Sequence, residues 1–424
     1  MSSPAKSATV LTCKAAVAWG PGEPLALEEV EVDPPKAMEI RIKVFCSSLC
    51  RSDVTQWESK AQPSLFPRIF GHEASGVVES VGEGVTEFEV GDHVLTVFIG
   101  ECQSCKHCFS GRSNICQKLG LERKGVMHTN QKTRFSIKGR PIYHYCAVSS
   151  FSEYAVVHSG CAVKISKDAP MDRICLLSCG VATGFGAVWK VADVSKGSTV
   201  VIFGLGTVGL SVAQAAKLRG ASQIIGVDNN PGKFEKGKSF GVTSFINPDD
   251  CNEPIPQVIK RMTDGGADYS FECIGDTGAV STALQSCSDA WGMTVTLGVP
   301  KTNPEVSLHY AQLLSGKTLK GSLFGGWRPK TDLPSLEIHL EGFVTHDITF
   351  DNINEAFNLM KEGKCLRCVY IMIYQIQRLF VKVVVDGVVE GDVKVAPCVR
   401  SKILVLLVTF DSRFRINCFA SKLQ

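Results

Sequence analysis

Ser198-Thr-Val-Val-Ile-Phe-Gly204-Leu-Gly206-Thr-Val-Gly209 reads as a buried β-branched strand that runs straight into a glycine turn, and Leu-Ser-Val-Ala-Gln-Ala-Ala-Lys-Leu-Arg-Gly follows with helical character. Gly204 permits the tight turn, Gly206 lets backbone amides approach a pyrophosphate, and Gly209 lets helix and strand pack closely. A second strand, Gln223 to Val227, ends at Asp228, where a carboxylate can accept both hydroxyls of a ribose. A 2′-phosphate beside Asp228 would meet like charge, and no arginine follows to offset it, so the pattern predicts NAD over NADP. Further apolar runs at Ala267–Ile274 and Met293–Val299, separated by helix-length segments, continue the alternation expected of a parallel sheet.

At 424 residues, 44% hydrophobic and 21% charged, the chain has room for two domains with real cores. Its 45 basic and 42 acidic residues leave a net charge of +3, which gives no electrostatic footprint for nucleic acid or an anionic membrane. Partners are therefore expected to be small molecules or copies of the chain itself. The N-terminal MSSPAKSATV lacks an apolar h-region, and the longest apolar stretch, near Ile403–Phe410, is too short to span a bilayer. The expected location is cytoplasmic.

Two sets of metal-ligating residues stand out. Cys102, Cys105, Cys108 and Cys116 form a C-x2-C-x2-C-x7-C run, a spacing that fits a tetrahedral thiolate site with zinc as its occupant. The second set is dispersed: Cys50 in C-R-S-D, His72 in G-H-E and Cys179 in S-C-G. Two thiolates, one imidazole and water make an open zinc site, in which a metal can polarise an alcohol oxygen.

Cys50-Arg-Ser-Asp53, Gly71-His-Glu-Ala-Ser-Gly-Val-Val78, Gly91-Asp-His-Val94, the four-cysteine lobe, Ser178-Cys-Gly-Val-Ala-Thr-Gly184 and the glycine turn together resemble the zinc-containing medium-chain alcohol dehydrogenases, most of all the plant alcohol dehydrogenase-like proteins. The likeness runs from about Lys14 to Val369. It implies an α/β protein with a Rossmann nucleotide-binding domain and a GroES-like β-barrel catalytic domain, assembled as a homodimer. The implied boundaries are a catalytic domain over 1–182 with its zinc lobe at 102–116, an NAD domain over 183–322, a return segment over 323–371 and a tail over 372–424 outside the family pattern.

Carried over residue by residue, the resemblance implies that Cys50, His72 and Cys179, with Glu73 nearby, hold a catalytic zinc, and that the four clustered cysteines hold a structural one. Asp53 would orient the His72 imidazole. Ser52 would take the hydroxyl proton of the alcohol, with Arg51 and Arg367 on the cofactor pyrophosphate, Lys233 on the adenosine ribose, and Thr183, Val208 and the Val299 carbonyl beside the nicotinamide. The implied reaction is zinc-dependent, NAD-linked oxidation of primary alcohols to aldehydes, and its reverse. Two alternatives stay open: a glutathione-dependent formaldehyde dehydrogenase, and an impaired isoform that binds zinc and NAD without turnover.

The chain also departs from the pattern. Thr55 stands where many members carry the histidine that ends the proton relay, and threonine is no base near neutral pH. Trp57, Phe98, Tyr145 and Cys146 fall at substrate-pocket positions and favour a medium-sized or aromatic alcohol. Thr331–Phe343 is short by most of a helix, a loss expected to expose apolar surface. The edge near Val295–Val306 is expected to pair across the dimer two-fold. From Tyr370 the valine-rich tail runs to Gln424; a turn signal at Asp386-Gly387 allows added strands or a hairpin, but it reads rather as an appendage, so that removing residues beyond Ile371 should not lower folded yield.

Overall fold

The computed structural model describes residues 9–61, 65–300, 305–336 and 338–372. The tail from 373 onward, with its turn signal at Asp386-Gly387, lies outside the described residues.

The glycine-rich stretch closes the first strand of a six-stranded parallel sheet. The strands are Thr199–Phe203, Gln223–Val227, Ser244–Ile246, Tyr269–Glu272, Met293–Thr296 and Thr318–Gly321, in the spatial order third, second, first, fourth, fifth, sixth. Val200, Val201 and Ile202 are all fully buried, because helices cover both faces of the sheet. The strand order switches direction between the first and fourth strands, so a crevice opens at the carboxyl ends of those two parallel strands, beside the glycine turn.

Two expected strands stop short for one reason. Glu272 is fully buried and its carboxylate accepts the amides of Ile274 and Gly275, each at 2.7 Å, which turns the chain out of the sheet. Next door, the Leu297 and Gly298 amides both converge on the Glu272 carbonyl, at 2.9 and 3.1 Å, and the fifth strand ends at Thr296. The expected sheet edge near Val295–Val306 is also corrected. Val295 is fully buried, since Met293–Thr296 pairs with Thr318–Gly321, and that sixth strand is the edge.

The N-terminal part builds two further sheets. One is antiparallel, in the order Arg68–Ile69, Leu11–Ala18, Ala26–Val32, Phe135–Ile137, Arg140–Ile142. The other has seven strands around the long pair Glu39–Ser48 and Glu73–Val81, whose register shifts twice. Such irregularities bend strands, which is how a sheet coils towards a barrel. Cys368–Ile371 returns from the far end of the chain to pair with Cys46–Ser48, and this pairing carries Arg367 into the N-terminal part.

The shortened segment does not leave apolar surface bare. Leu333, Leu340 and Phe343 are buried, Phe343 packs edge-on against Phe240 at 4.6 Å, and no large hydrophobic of the described return segment is exposed. Asp332 pins its start by accepting from Lys190 Nζ at 2.5 Å and from the Arg328 amide at 2.8 Å. Burial would raise the Asp332 carboxyl, but these donors outweigh it and hold the group below its ordinary value. A depressed carboxyl stabilises the fold above its unfolded pKa, near 3.9, and the gain is lost as pH falls through the folded value. Asp332→Asn is thus expected to cost about 1 kcal/mol at pH 7. In urea titrations the gap from the parent should close as pH drops below about 4; a gap that persists unchanged at pH 3 would contradict this account.

Candidate active site and metal centres

Cys50 precedes the helix Arg51–Glu58, and the third residue of that helix, Asp53, organises the site. Its fully buried carboxylate accepts the Cys50 amide at 2.9 Å, the Gly71 amide at 3.1 Å and His72 Nδ1 at 3.0 Å. One side chain therefore fixes the backbone at two expected ligands and turns the other imidazole nitrogen, Nε2, towards the thiols. Gly71, at φ +91°, could carry no side chain, because a Cβ would lie 2.5 Å from the Phe151 ring. Cys179 leads into the helix Gly180–Gly186 from the opposite side.

Ligand atoms of Cys50, His72, Glu73 and Cys179 all fall within 4.8 Å of one another. Contact with Cys179 draws the Cys50 thiol well below its ordinary value against the cost of burial, with Arg367 and His72 assisting, while the same contact pushes Cys179 up. Burial alone would lower His72, but Asp53 and Cys50 raise it well above its usual range. Two soft sulfurs, a carboxylate-oriented imidazole and a buried carboxylate form a donor set that fits zinc.

The second cluster is equally tight. Cys105 Sγ lies 3.5 Å from Cys108 Sγ and 3.9 Å from Cys116 Sγ, and Cys102 Sγ is 3.9 Å from Cys108 Sγ. The Cys108 amide helps to pull the Cys105 thiol down to about 6, whereas burial and Cys105 push Cys108 up to about 12. Four thiols at these separations fit a closed tetrahedral site. The lobe is tied to the return segment by Glu101, whose carboxylate accepts the amides of Lys330 and Thr331 at 2.9 and 3.0 Å.

In the crevice, Gly204 takes φ +91°, and a Cβ on Gly209 would stand 1.9 Å from the Gly204 carbonyl, so both positions demand glycine. A Cβ on Gly206 would meet no atom within 4 Å, which leaves open space beside the start of the helix Thr207–Leu218. That space suits an anionic diphosphate. Asp228 accepts the Leu205 amide at 2.8 Å and pairs with Lys233 Nζ at 2.8 Å, so these two expected ribose contacts sit together at the end of the second strand. Thr183 lies in Gly180–Gly186, and the exposed Val299 abuts Gly275 beyond the fifth strand.

Other expected residues are placed as follows. Ser52 Oγ is 3.4 Å from His72 Nε2, and the Ser52 carbonyl accepts from the Tyr145 hydroxyl at 3.2 Å. Thr55 is buried one turn along the same helix, and its hydroxyl bonds to no described residue. Arg51 donates to the Met360 carbonyl at 3.1 Å. Phe98 and Tyr145 both stand edge-on to His72, at 5.7 and 5.6 Å. Trp57 stands edge-on to Phe357 at 5.1 Å, with its indole N–H on the Glu23 carbonyl.

Arg367 faces the metal cluster. Its guanidinium grips Glu73 through Nε at 3.0 Å and Nη2 at 2.9 Å, and Nη2 also lies 3.2 Å from Cys50 Sγ. A Cβ on Gly180 would come within 2.3 Å of Nη2, so the glycine after Cys179 makes room for this cation. Neither Gly180 nor Thr207, which also contacts Arg367, was picked out by the sequence reading. Only the S-C-G-V-A-T-G motif carried a trace of the first.

A dinucleotide crevice beside a thiolate–imidazole metal cluster defines a metal-dependent nicotinamide dehydrogenase. Residues 36–167 match the alcohol dehydrogenase GroES-like domain and residues 207–338 the zinc-binding dehydrogenase domain. Alcohol dehydrogenase-like 6 of Arabidopsis thaliana is 72% identical over 370 residues, 86% of this chain and 96% of that protein. Alcohol dehydrogenase 1 of Petunia hybrida is 53% identical over 372 residues, 86% and 97% of the two chains. Among solved structures, benzyl alcohol dehydrogenase of Acinetobacter calcoaceticus matches with a TM-score of 0.77 at 29% identity, covering 85% of this chain and 99% of its own. The chain belongs to the zinc-dependent alcohol dehydrogenase family, and it is an NAD-linked oxidoreductase that interconverts alcohols and aldehydes.

Proposed function

We propose that the physiological substrates are medium-sized or aromatic primary alcohols, oxidised by a cytoplasmic homodimer whose domains follow the boundaries implied by the sequence. The aromatic edges of Phe98 and Tyr145 beside His72 carry this reading. They offer an apolar wall and, with Cys146 buried and its thiol pushed up to about 11 by that burial, no charge for an ionic substrate. The resemblance to a benzyl alcohol dehydrogenase points the same way. The alternative of a glutathione-adduct substrate needs a basic side chain for the glutathione carboxylates, and Trp57-Glu-Ser59 supplies none. Tyr310 and Leu314, each 73% exposed, precede the edge strand Thr318–Gly321 and favour pairing of two copies there.

Cys50, His72 and Cys179 would hold the ion, which supplies Lewis acidity at the alcohol oxygen when bound. Asp53 keeps the imidazole in one tautomer, and Ser52 Oγ, 3.4 Å from His72 Nε2, would take the alcohol's hydroxyl proton while passing its own on towards the cofactor ribose. Phe98 and Tyr145 exclude water from the space beside His72. Lys233 and Asp228 would hold the adenosine ribose of the dinucleotide and Arg51 and Arg367 would face its pyrophosphate, with Thr183, Val208 and the Val299 carbonyl at its nicotinamide end.

A panel of aliphatic and aromatic primary alcohols with NAD, run alongside sedimentation analysis, tests the proposal. Higher kcat/KM for benzyl-type alcohols than for ethanol is expected. A preference for ethanol or for S-hydroxymethylglutathione would overturn the substrate assignment, absence of turnover by the zinc-replete protein would favour the impaired isoform, and a monomeric mass would overturn the dimer. Thr55→His supplies a base at the end of the relay. It should raise alcohol oxidation by roughly three- to tenfold between pH 6.5 and 8, a small part of the roughly 10²–10⁴-fold that a positioned general base supplies, and identical pH–rate profiles would remove Thr55 from the mechanism.

A further inference from the structure

The glycine turn and the metal cluster are joined by a single side chain. Thr207 opens the helix Thr207–Leu218, yet it is only 4% exposed, because its side chain is engaged by Leu366 and Arg367. Its hydroxyl donates to the Leu366 carbonyl at 3.0 Å and accepts from Arg367 Nη1, also at 3.0 Å. Arg367 Nη1 reaches the Leu366 carbonyl too, at 3.2 Å. With Nε and Nη2 on Glu73 and Nη2 on Cys50, every donor direction of the guanidinium is occupied.

Four of these contacts compete in direction. Glu73 and Cys50 draw the cation towards the metal cluster, and Thr207 with the Leu366 carbonyl draws it towards the dinucleotide turn. The motif itself asks only for glycines at 204, 206 and 209, so nothing in a pyrophosphate fingerprint requires a hydroxyl at 207. A residue without one would leave one buried guanidinium N–H without an acceptor and the Leu366 carbonyl with Arg367 alone, and the strong acceptor left to the guanidinium would be Glu73.

We infer that Thr207 is a positioning residue: its hydroxyl sets how far the Arg367 charge leans towards the dinucleotide, and so couples cofactor affinity to the Glu73 side of the metal cluster. The inference rests on the NAD-linked dehydrogenase reading. It predicts that the cofactor diphosphate gains attraction from Arg367 only while that tether exists, since the Coulomb term falls with distance.

The test uses the zinc-replete protein and NADH fluorescence titration. Thr207→Val, which keeps shape and removes the hydroxyl, should raise the NADH Kd about tenfold, the scale of one charge-assisted hydrogen bond. Thr207→Ser restores the hydroxyl and should stay within about twofold of the parent. In an Arg367→Lys background, where the planar fork is lost, Thr207→Val should change the Kd by less than about twofold. An unchanged Kd in Thr207→Val, or an equal loss in both backgrounds, would overturn the coupling. If Thr207→Val does not fold, Thr207→Ala gives the same comparison. A parent that fails to bind NADH at all would instead refute the dehydrogenase reading.

Discussion

His72→Ala is expected to leave one zinc per chain where the parent holds two, and to lower kcat/KM for alcohol oxidation by at least about 10³-fold. The two clusters are separate donor sets, so the thiolate lobe keeps its ion when the imidazole is removed. A Lewis acid at the reacting oxygen contributes several kcal/mol, and each 1.36 kcal/mol is about tenfold in rate. The side chain is 2% exposed and its Nδ1 hydrogen-bonds to a fully buried carboxylate, so the substitution also leaves Asp53 without one partner. Metal analysis and turnover are read on the same sample. Retention of both ions with activity near the parent would remove His72 from the site.

Glu73→Gln should be the most destabilising polar substitution at the centre. Glu73 is fully buried and Arg367 is 3% exposed, and two hydrogen bonds at 2.9 and 3.0 Å join them across 294 residues of sequence. Removing one member of such a pair leaves the other charge buried without compensation, at about 3–5 kcal/mol. Thermal unfolding should move down by about 5–10 °C. Replacing both partners together, as Glu73→Gln with Arg367→Met, should recover part of the loss, because no uncompensated cation remains. Equal melting temperatures for parent and Glu73→Gln would show that Arg367 is neutralised by other groups, with the Cys50 sulfur at 3.2 Å the nearest candidate.

The two substitutions probe different layers of one design. His72 acts at the ion directly, whereas Glu73 acts through the cation that Thr207 also holds. Asp53 belongs to the first layer, since it fixes the Cys50 amide and the His72 ring at once.

Much of this was legible in the chain. Alternating β-branched strands, a glycine triplet at fixed offsets and an acidic residue at the next strand end impose the parallel sheet and its crevice, because each depends on local backbone geometry. The cysteine lobe was legible for the same reason, its ligands being near neighbours in sequence. The dispersed set was legible as three short motifs of able ligands, but that they share one site was implied only by resemblance. Strand ends escaped the reading where the buried carboxylate of Glu272 collects later amides. Trp57 falls at a pocket position by resemblance, and that its ring packs on Phe357, a partner 300 residues away, no local pattern encodes.

The sequence by itself determined which residues are chemically able to bind two ions and a dinucleotide, and the order of strands and helices that builds the crevice. The tertiary structure decided which of those groups meet. Return of Cys368–Ile371 onto Cys46–Ser48 brings Arg367 against Glu73, Cys50 and Thr207, a contact no local pattern encodes. A buried guanidinium must place every N–H on an acceptor, and the acceptors here, at Cys50, Glu73, Thr207 and Leu366, lie on four separate stretches of chain.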